Sequence, residues 1–257
     1  MSDDSHGRDE DGREGGGCSD HDDDRPKYAQ VRDAILERIR SGVWTQGQLI
    51  PSEPQIAAEF GVSPGTARRA LESLVKDHVL SRRHGAGTWV QGDTLAERYR
   101  FFSIFGKDNV RITPDSRDVK AMIARANSRE RSTLNLEKKA LVIRISRTRT
   151  CNGRPFIAEN LSVPEALFRN MADEPQLPDA LYDHYQKAHK VLIMATADRL
   201  NAVAADAATA EKLRVKIGAP LLKVDRIAYA SDKQPVEWRV LLCHLKNAHY
   251  LAHMGQS

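Results

Sequence analysis

Two sets of side chains in this 257-residue chain have the type and spacing to do chemistry. In the run LVIRISRTRT, a period of two places Leu141, Ile143, Ile145, Arg147 and Arg149 on one face of a strand. A guanidinium that continues an apolar stripe needs an anion beside it, because burying that charge unpaired is costly. One reading is a pocket for a small anionic ligand; the other is a frayed strand end with both arginines in water. In the run FGVSPGTARRAL, over 60–71, a glycine turn, a capping serine at Ser63 and a proline lead directly into a basic helix. Gly65, Thr66, Arg69, Glu72, Ser73 and Lys76 share its polar face, with Arg68 on the border. Thr66 can meet a phosphate or a base edge, and Arg68 and Arg69 can pair with phosphate or take guanine through two hydrogen bonds. Gly65 removes a side chain that would hold the backbone away from a duplex.

The elements that would position the second set follow from periodicity and caps. Tyr28, Val31, Ile35 and Ile39 recur at helical spacing, and Gly42 supplies a stop. Ser52 with Gln55 three residues on has the capping-box spacing, ahead of Ile56, Ala57 and Phe60. Gly61 and Val62 make the turn into the third helix, whose stripe of Ala67, Ala70, Leu71, Leu74 and Val75 must pack on the first two. After it, VLSRRHGAGTWV reads as two short strands, 79–83 and 88–90, around the loop His84-Gly85-Ala86-Gly87. That pair makes a wing whose Arg82, Arg83, His84 and Gly85 amide would lie against a nucleic-acid backbone or minor groove.

These residues, with PSE over 51–53, FGVSPGTARRAL and the ending HGAGTWV, resemble the winged helix-turn-helix domain of the GntR family of bacterial transcription regulators. The resemblance implies that Ser63, Thr66, Arg68, His84 and Gly85 touch DNA. Two positions depart from the family pattern: Pro54 stands where many members have an arginine, and His78 replaces a frequent glycine before the wing.

Past a polar connector over 91–97 the chain reads as strand at 98–105, helix at 128–136 and strand at 140–150. Asn152-Gly153 is a hairpin turn into a strand at 155–163. Helix at 177–188, strand at 191–199, helix at 206–215 behind a cap at Asp206, and a hairpin of 221–230 with 236–245 complete an antiparallel sheet with helices. On the last strand Glu237 and Arg239 alternate with Val236, Trp238 and Val240, a pattern more common on a solvated face. This half resembles the UTRA effector domain of the HutC branch of GntR regulators, similar in fold to chorismate lyase. The resemblance rests on Arg147-Thr-Arg149, Asn152-Gly153-Arg154-Pro155 with Glu159, Leu181-Tyr182, Pro220-Leu221-Leu222 through Arg226, and Pro235-Val236-Glu237. It implies an effector pocket lined by Arg147, Arg149, Glu159, Tyr182 and Glu237, holding a small carboxylate or phosphorylated metabolite. Ala180 stands at a serine position of the phosphosugar binders. A plain two-residue turn at Asn152-Gly153 would pair Arg147 with Ala158 and send Glu159 to the opposite face, so a bulge or a longer loop is required.

The fold class expected is therefore α+β: an N-terminal winged helix-turn-helix domain, then a chorismate-lyase-like UTRA domain with an antiparallel sheet. The expected division is a disordered acidic tail over 1–26, a DNA-binding domain over 27–91, a linker over 92–98 and an effector-binding and dimerisation domain over 99–257. The net charge of +4 conceals ten acids against three arginines in residues 1–26, which leaves the remainder at +11. Such a tail, rich in Asp and Gly without hydrophobic periodicity, cannot repay the entropy of folding. No apolar run is long enough for a membrane span and no signal segment precedes the first helix, so a cytoplasmic address is expected. Cys18, Cys151 and Cys243 are scattered and odd in number, which supports neither a disulfide framework nor a zinc site of CxxC spacing. His244, His249 and His253 have spacings that suit surface positions; no metal, cofactor or catalytic residue is expected.

The function expected is a ligand-responsive, sequence-specific DNA-binding regulator, a repressor acting as a homodimer on a palindromic operator, since one winged module contacts too few base pairs. An enzyme like chorismate lyase, acting on a small carboxylate through Arg147, Arg149 and Glu159, is the alternative. A nonspecific nucleic-acid binder is the third reading.

Overall fold

The protein is described by a computed structural model over residues 25–77, 79–83, 85–91, 102–230 and 233–252. Residues 1–24 of the acidic tail and 92–97 of the connector lie outside these residues, as do His78, His84, His253, Cys18 and the first half of the strand expected over 98–105.

Three helices come first along the chain. α1 (Lys27–Ser41) ends where Gly42 turns left-handed at φ 84°. α2 (Glu53–Glu59) opens on its capping box, with Gln55 Oε1 accepting from the Ser52 amide at 2.8 Å. Gly61, at φ 60°, makes the tight turn that a side chain would strain. α3 (Pro64–Lys76) starts behind Ser63, whose Oγ accepts from the Thr66 amide at 3.2 Å. Of the expected stripe, Ala67, Ala70, Leu71 and Leu74 are fully buried against Val31, Ile35 and Ile39 of α1 and Ile56 of α2, and Val75 is half-buried at its edge. β1 (Leu80–Arg83) and β2 (Gly87–Val90) close the wing, with Leu80 opposite Val90.

The second half is a six-stranded antiparallel sheet, built from β4 (Asp115–Arg125), β5 (Leu141–Cys151), β6 (Arg154–Pro164), β7 (Ala195–Ala204), β8 (Pro220–Tyr229) and β9 (Pro235–Cys243). The strand order is β4-β5-β6-β9-β8-β7. A separate ladder joins β3 (Ile104–Gly106) to β10 (Ala248–Tyr250). Three helices attend the sheet: α4 (Ser128–Leu134), α5 (Leu181–His189) and α6 (Ala207–Leu213). α6 carries the expected cap, with Asp206 Oδ1 accepting from the Thr209 amide at 2.7 Å, and α4 has one the sequence reading does not name, with Asn127 Oδ1 accepting from the Glu130 amide at 2.9 Å. Ile143, Ile145, Leu161 and Val163 pack under Phe168, Leu181 and Tyr185 on one face of the sheet. On the other, Val142 meets Leu134, and Ala158 meets Ala210 and Leu213.

The hairpin between β5 and β6 settles the register question raised by the sequence. Asn152 and Gly153 both take positive φ, 50° and 72°, as a two-residue primed turn requires. Pairing runs Cys151 to Arg154 and Thr150 to Pro155, then skips Phe156 so that Arg149 faces Ile157 and Arg147 faces Glu159. That single extra residue is a β-bulge, and it returns Glu159 to the face of Arg147.

Three expectations shift. β4 has no counterpart in the sequence reading: it is an edge strand whose alternation is broken by Arg117, Asp118 and Lys120 at a register shift. α5 begins at Leu181 and not at residue 177, because the carbonyls of Pro178 and Asp179 point to Arg147 and Arg149 instead of into a helix. β7 begins at Ala195 rather than 191; Leu192 and Met194 are occupied in packing against the core of the first three helices.

Candidate nucleic-acid interface and effector pocket

The polar side of α3 and the tip of the wing are open to solvent. Ser63, Gly65, Arg68 and Arg69 are exposed there, Thr66 half-buried, and Arg82, Arg83 and Gly85 exposed on the wing. The polar side chains among them are engaged in local contacts at the surface. Ser63 Oγ and Thr66 Oγ1 lie 2.9 Å apart; Arg68 Nε donates to Glu72 at 2.9 Å; Arg69 lies 4.2 Å above the Tyr28 ring. Arg82 pairs with Glu53 and approaches Glu72 at 3.9 Å, and Arg83 stacks on Trp89 at 4.9 Å. A Cβ built on Gly65 would meet nothing nearer than Ser63 Oγ at 3.9 Å, so the helix leaves an open approach at its first turn. Gly85 takes φ 71°, which bends the wing tip outward. His84, expected beside it, is not among the described residues.

The arginines of β5 are not at a frayed end. Arg147 and Arg149 are buried, Arg149 to 2% exposure, and they share the inner face of the sheet with Glu159 from β6, Glu237 and Arg239 from β9, and Arg226 from β8. Arg147 Nε donates to Glu159, and its Nη1 donates to the Pro178 carbonyl at 3.1 Å. Arg239 Nη1 donates to the other Glu159 oxygen at 2.6 Å, and its Nε and Nη2 clasp Glu237 at 2.8 and 2.6 Å. Arg149 reaches Ser116 Oγ at 2.5 Å and the carbonyls of Asp179 and Pro114 at 3.0 and 3.2 Å, with Glu159 at 4.0 Å and the Asp179 carboxylate at 3.6 Å. Tyr182 and Tyr185 donate to Glu237 at 2.9 and 2.7 Å from α5. Arg226 makes a two-bond pair with Asp198 of β7, both bonds 2.7 Å.

The electrostatics follow from this packing. Burial pushes the Glu159 carboxyl up, but Arg147, Arg239 and Arg149 outweigh it and hold the group well below the usual carboxylate range. Burial and the Glu237 charge push both the Tyr182 and Tyr185 hydroxyls upward, so they stay protonated and donate. Arg147, Arg149, Arg226 and Arg239 surround a cavity of about 30 Å³ with Glu159 and Asp179 as its acids and Ala180, Leu181 and Tyr182 as its lid. Of the sequence-derived candidates, Arg147, Arg149, Glu159 and Tyr182 line it; Glu237 stands behind, bracing Arg239 and the two tyrosines. Arg239 and Arg226 were not singled out. The alternation on β9 suggests a solvated face for Arg239, yet the charged side of that strand is buried, with Glu237 at 0% exposure. Arg226 carries the same signal as Arg147, a guanidinium in phase with the apolar Val224 and Ala228.

A winged helix-turn-helix with a bare reading helix, followed by a sheet that buries an arginine cluster under an aromatic lid, defines a class: a ligand-responsive, DNA-binding transcription regulator. Within that class the chain belongs to the GntR family of bacterial regulatory proteins, which it matches over residues 27–90, and it carries a UTRA domain over residues 111–249. It is 27% identical over 209 residues to the transcriptional repressor NagR of Bacillus subtilis, spanning 80% of this chain and 86% of that one. It is 26% identical over 219 residues to a fructoselysine utilization operon repressor of Escherichia coli, spanning 84% and 89%. Among solved structures, the ligand-binding domain of a regulator assigned to the GntR family from Bordetella bronchiseptica matches at TM-score 0.54 and 26% identity, over 60% of this chain and 96% of that one. PhnF from Mycobacterium smegmatis shares the fold over 90% of this chain and 100% of its own, at TM-score 0.54 and 20% identity. The two curated relatives are named as repressors, so the enzyme alternative is not favoured. No helix among the described residues is long and apolar enough to cross a membrane.

Proposed function

We propose that the protein is a cytoplasmic repressor of the HutC branch. On this reading it binds a palindromic operator as a homodimer and changes its grip on DNA when a small carboxylate or phosphorylated metabolite enters the arginine cluster. The observation that carries this is the convergence of Arg147, Arg149, Arg226 and Arg239 on one cavity beneath the first turn of α5. A space of about 30 Å³ holds a single water-sized body, so a metabolite must displace the lid formed by Ala180, Leu181 and Tyr182. Effector binding and a change of conformation are then the same event, which is what a differential affinity for two states demands.

α5 also gives that event a way out. Its following segment reaches the first three helices, where Leu192 joins their core and the Lys190 carbonyl accepts from Arg40 Nε of α1 at 3.3 Å. Gln186 of α5 and Gln46 meet at 3.4 Å. A shift of α5 therefore bears on the unit that carries the reading helix. The proposed bounds keep the DNA-binding domain at 27–91 and the effector domain at 99–257, with the acidic tail over 1–26 and a linker over 92–98.

Dimerisation is supported by the opposite face of the sheet. A groove of about 720 Å³ runs there across β4, β5, β6 and β9, lined by Val119, Met122, Trp238 and Val240 among others, with Val119 and Met122 exposed on the edge strand. A second copy is its proposed occupant, and two-fold symmetry would pair the reading helices on a palindrome. The repressor role draws on the relatives named as repressors.

The test is selection of genomic fragments by the purified protein, then fluorescence anisotropy on the winning site with and without small carboxylates and phosphorylated metabolites. The expected result is a palindrome preferred ~10³-fold or more over competitor DNA, with affinity altered by one anion class. Uniform binding to all duplexes, or indifference to every anion, sinks the proposal.

A further inference from the structure

A second polar cluster lies toward the C-terminal end of α5. Glu174 follows the short 3-10 turn Met171–Asp173, while His184 and His189 stand on α5. One donor atom from each of the three falls within 4.8 Å of the others. His184 Nε2 lies 2.9 Å from Glu174 Oε1, and His189 Nε2 lies 3.6 Å from the same oxygen. Two imidazole nitrogens thus aim at one carboxylate oxygen, and only the His184 contact is within hydrogen-bond distance. The His189 side chain is 10% exposed, and its Nε2 is buried without a hydrogen bond. A buried polar atom left this way is rare and calls for an explanation.

We propose that Glu174, His184 and His189 form a zinc site. A tetrahedral Zn²⁺ with bonds of about 2.0–2.1 Å sets its ligand atoms about 3.3 Å apart. The observed separations of 2.9 and 3.6 Å straddle that figure. Two imidazoles and one carboxylate suit zinc, and three protein ligands leave the fourth position for water. The edge of Phe168 stands 5.4 Å from His189 and walls the inner side. The ion would clamp the last turn of α5 to the loop beneath it, immediately before the segment that touches the first three helices. Zinc binding here is independent of whether the chain reads a palindrome.

The experiment uses the full untagged chain, stripped with a chelator and dialysed, then titrated with Zn²⁺ calorimetrically and with Co²⁺ by visible absorption. The expected result is one equivalent of zinc per chain, tetrahedral cobalt bands, and a higher Tm in the loaded form. Glu174→Gln and His189→Ala should each weaken zinc by at least about tenfold and remove the cobalt bands. Glu174 is half-exposed, so Glu174→Gln keeps the test readable if the buried His189→Ala fails to fold. A chain that takes up no stoichiometric zinc overturns the proposal. So does one whose Glu174→Gln variant binds zinc as tightly as the parent, since the metal would then sit on other ligands.

Discussion

Glu159→Gln tests whether the arginine cluster is held together by charge. Glu159 is 2% exposed and receives hydrogen bonds from Arg147 on one oxygen and from Arg239 on the other, with Arg149 at 4.0 Å. Glutamine keeps the shape and one acceptor but turns an NH₂ toward a guanidinium, donor against donor. Among the described residues it also removes the one carboxylate near three arginines, leaving Arg147 to the Pro178 carbonyl and Arg149 to Ser116, two carbonyls and the Asp179 carboxylate at 3.6 Å. Breaking a buried ion pair from one side costs about 3–5 kcal/mol. At roughly 2–4 °C per kcal/mol for a chain of this size, Tm should fall by roughly 6 to 20 °C.

The same substitution leaves excess positive charge around the cavity, so an added anion should recover part of the loss. A ligand at about 100 times its Kd returns about 2.7 kcal/mol. Scanning calorimetry of both proteins with and without inorganic phosphate measures both effects, and phosphate should raise Tm more in the variant than in the parent. A loss below about 1 kcal/mol, with equal phosphate responses, would refute the view that Glu159 neutralises the cluster.

Other substitutions separate the remaining roles. Asp179→Asn removes the carboxylate 3.6 Å from Arg149 at the lid and should tighten binding of the inducing anion, read by isothermal titration; unchanged affinity would mean that Arg149 does not meet it. Arg68→Ala, freed of its Glu72 partner, should lose about 1–3 kcal/mol of discrimination between the operator and a site mutated at one base, whereas a phosphate role predicts uniform weakening. Ser63→Ala deletes the cap on the Thr66 amide and should cost about 1 kcal/mol in urea unfolding. Burial raises the Glu130 carboxyl, but Arg144, the Asn127 amide and Ser162 outweigh it and bring its pKa down to about 2. Because the folded value lies below the unfolded one, this group stabilises fully above about pH 4.5 and its contribution disappears as pH falls toward 2; the acid limb of the stability curve should flatten in Glu130→Gln.

The first three helices were legible because each boundary is written locally. Ser52 with Gln55, Ser63 with Pro64, and Gly42 and Gly61 at positive φ are short-range devices that tertiary context did not override. The inner face of β5 was legible for another reason: two arginines in phase with Ile143 and Ile145 violate an apolar pattern, and such violations concentrate at sites. β4 was not legible because an edge strand buries little and has no need of an alternating sequence. Arg239 was misread because a charged stripe looks the same whether it faces water or a facing set of opposite charges, and only the register of β9 with β6 and β8 decides between them. The pairing of Glu174 with His184 and His189 was hidden because it depends on how the loop after Met171–Asp173 folds beneath α5.

What the tertiary structure adds is a division of labour among the arginines. Arg226 and Arg239 each hold a carboxylate in a two-bond grip, Asp198 and Glu237, and so act as fixed walls. Arg149 instead meets mostly neutral acceptors, three of its shortest contacts being a hydroxyl and two carbonyls. A bidentate carboxylate or phosphate is a stronger partner for a guanidinium than a carbonyl is. An incoming anion therefore gains most by taking Arg149 from the Asp179 carbonyl, the residue just before the first turn of α5. On the proposed reading, the contact that is cheapest to replace is also the one that holds the lid, and for that reason ligand chemistry at Arg149 can be converted into movement of the helix that leads to the DNA-binding unit.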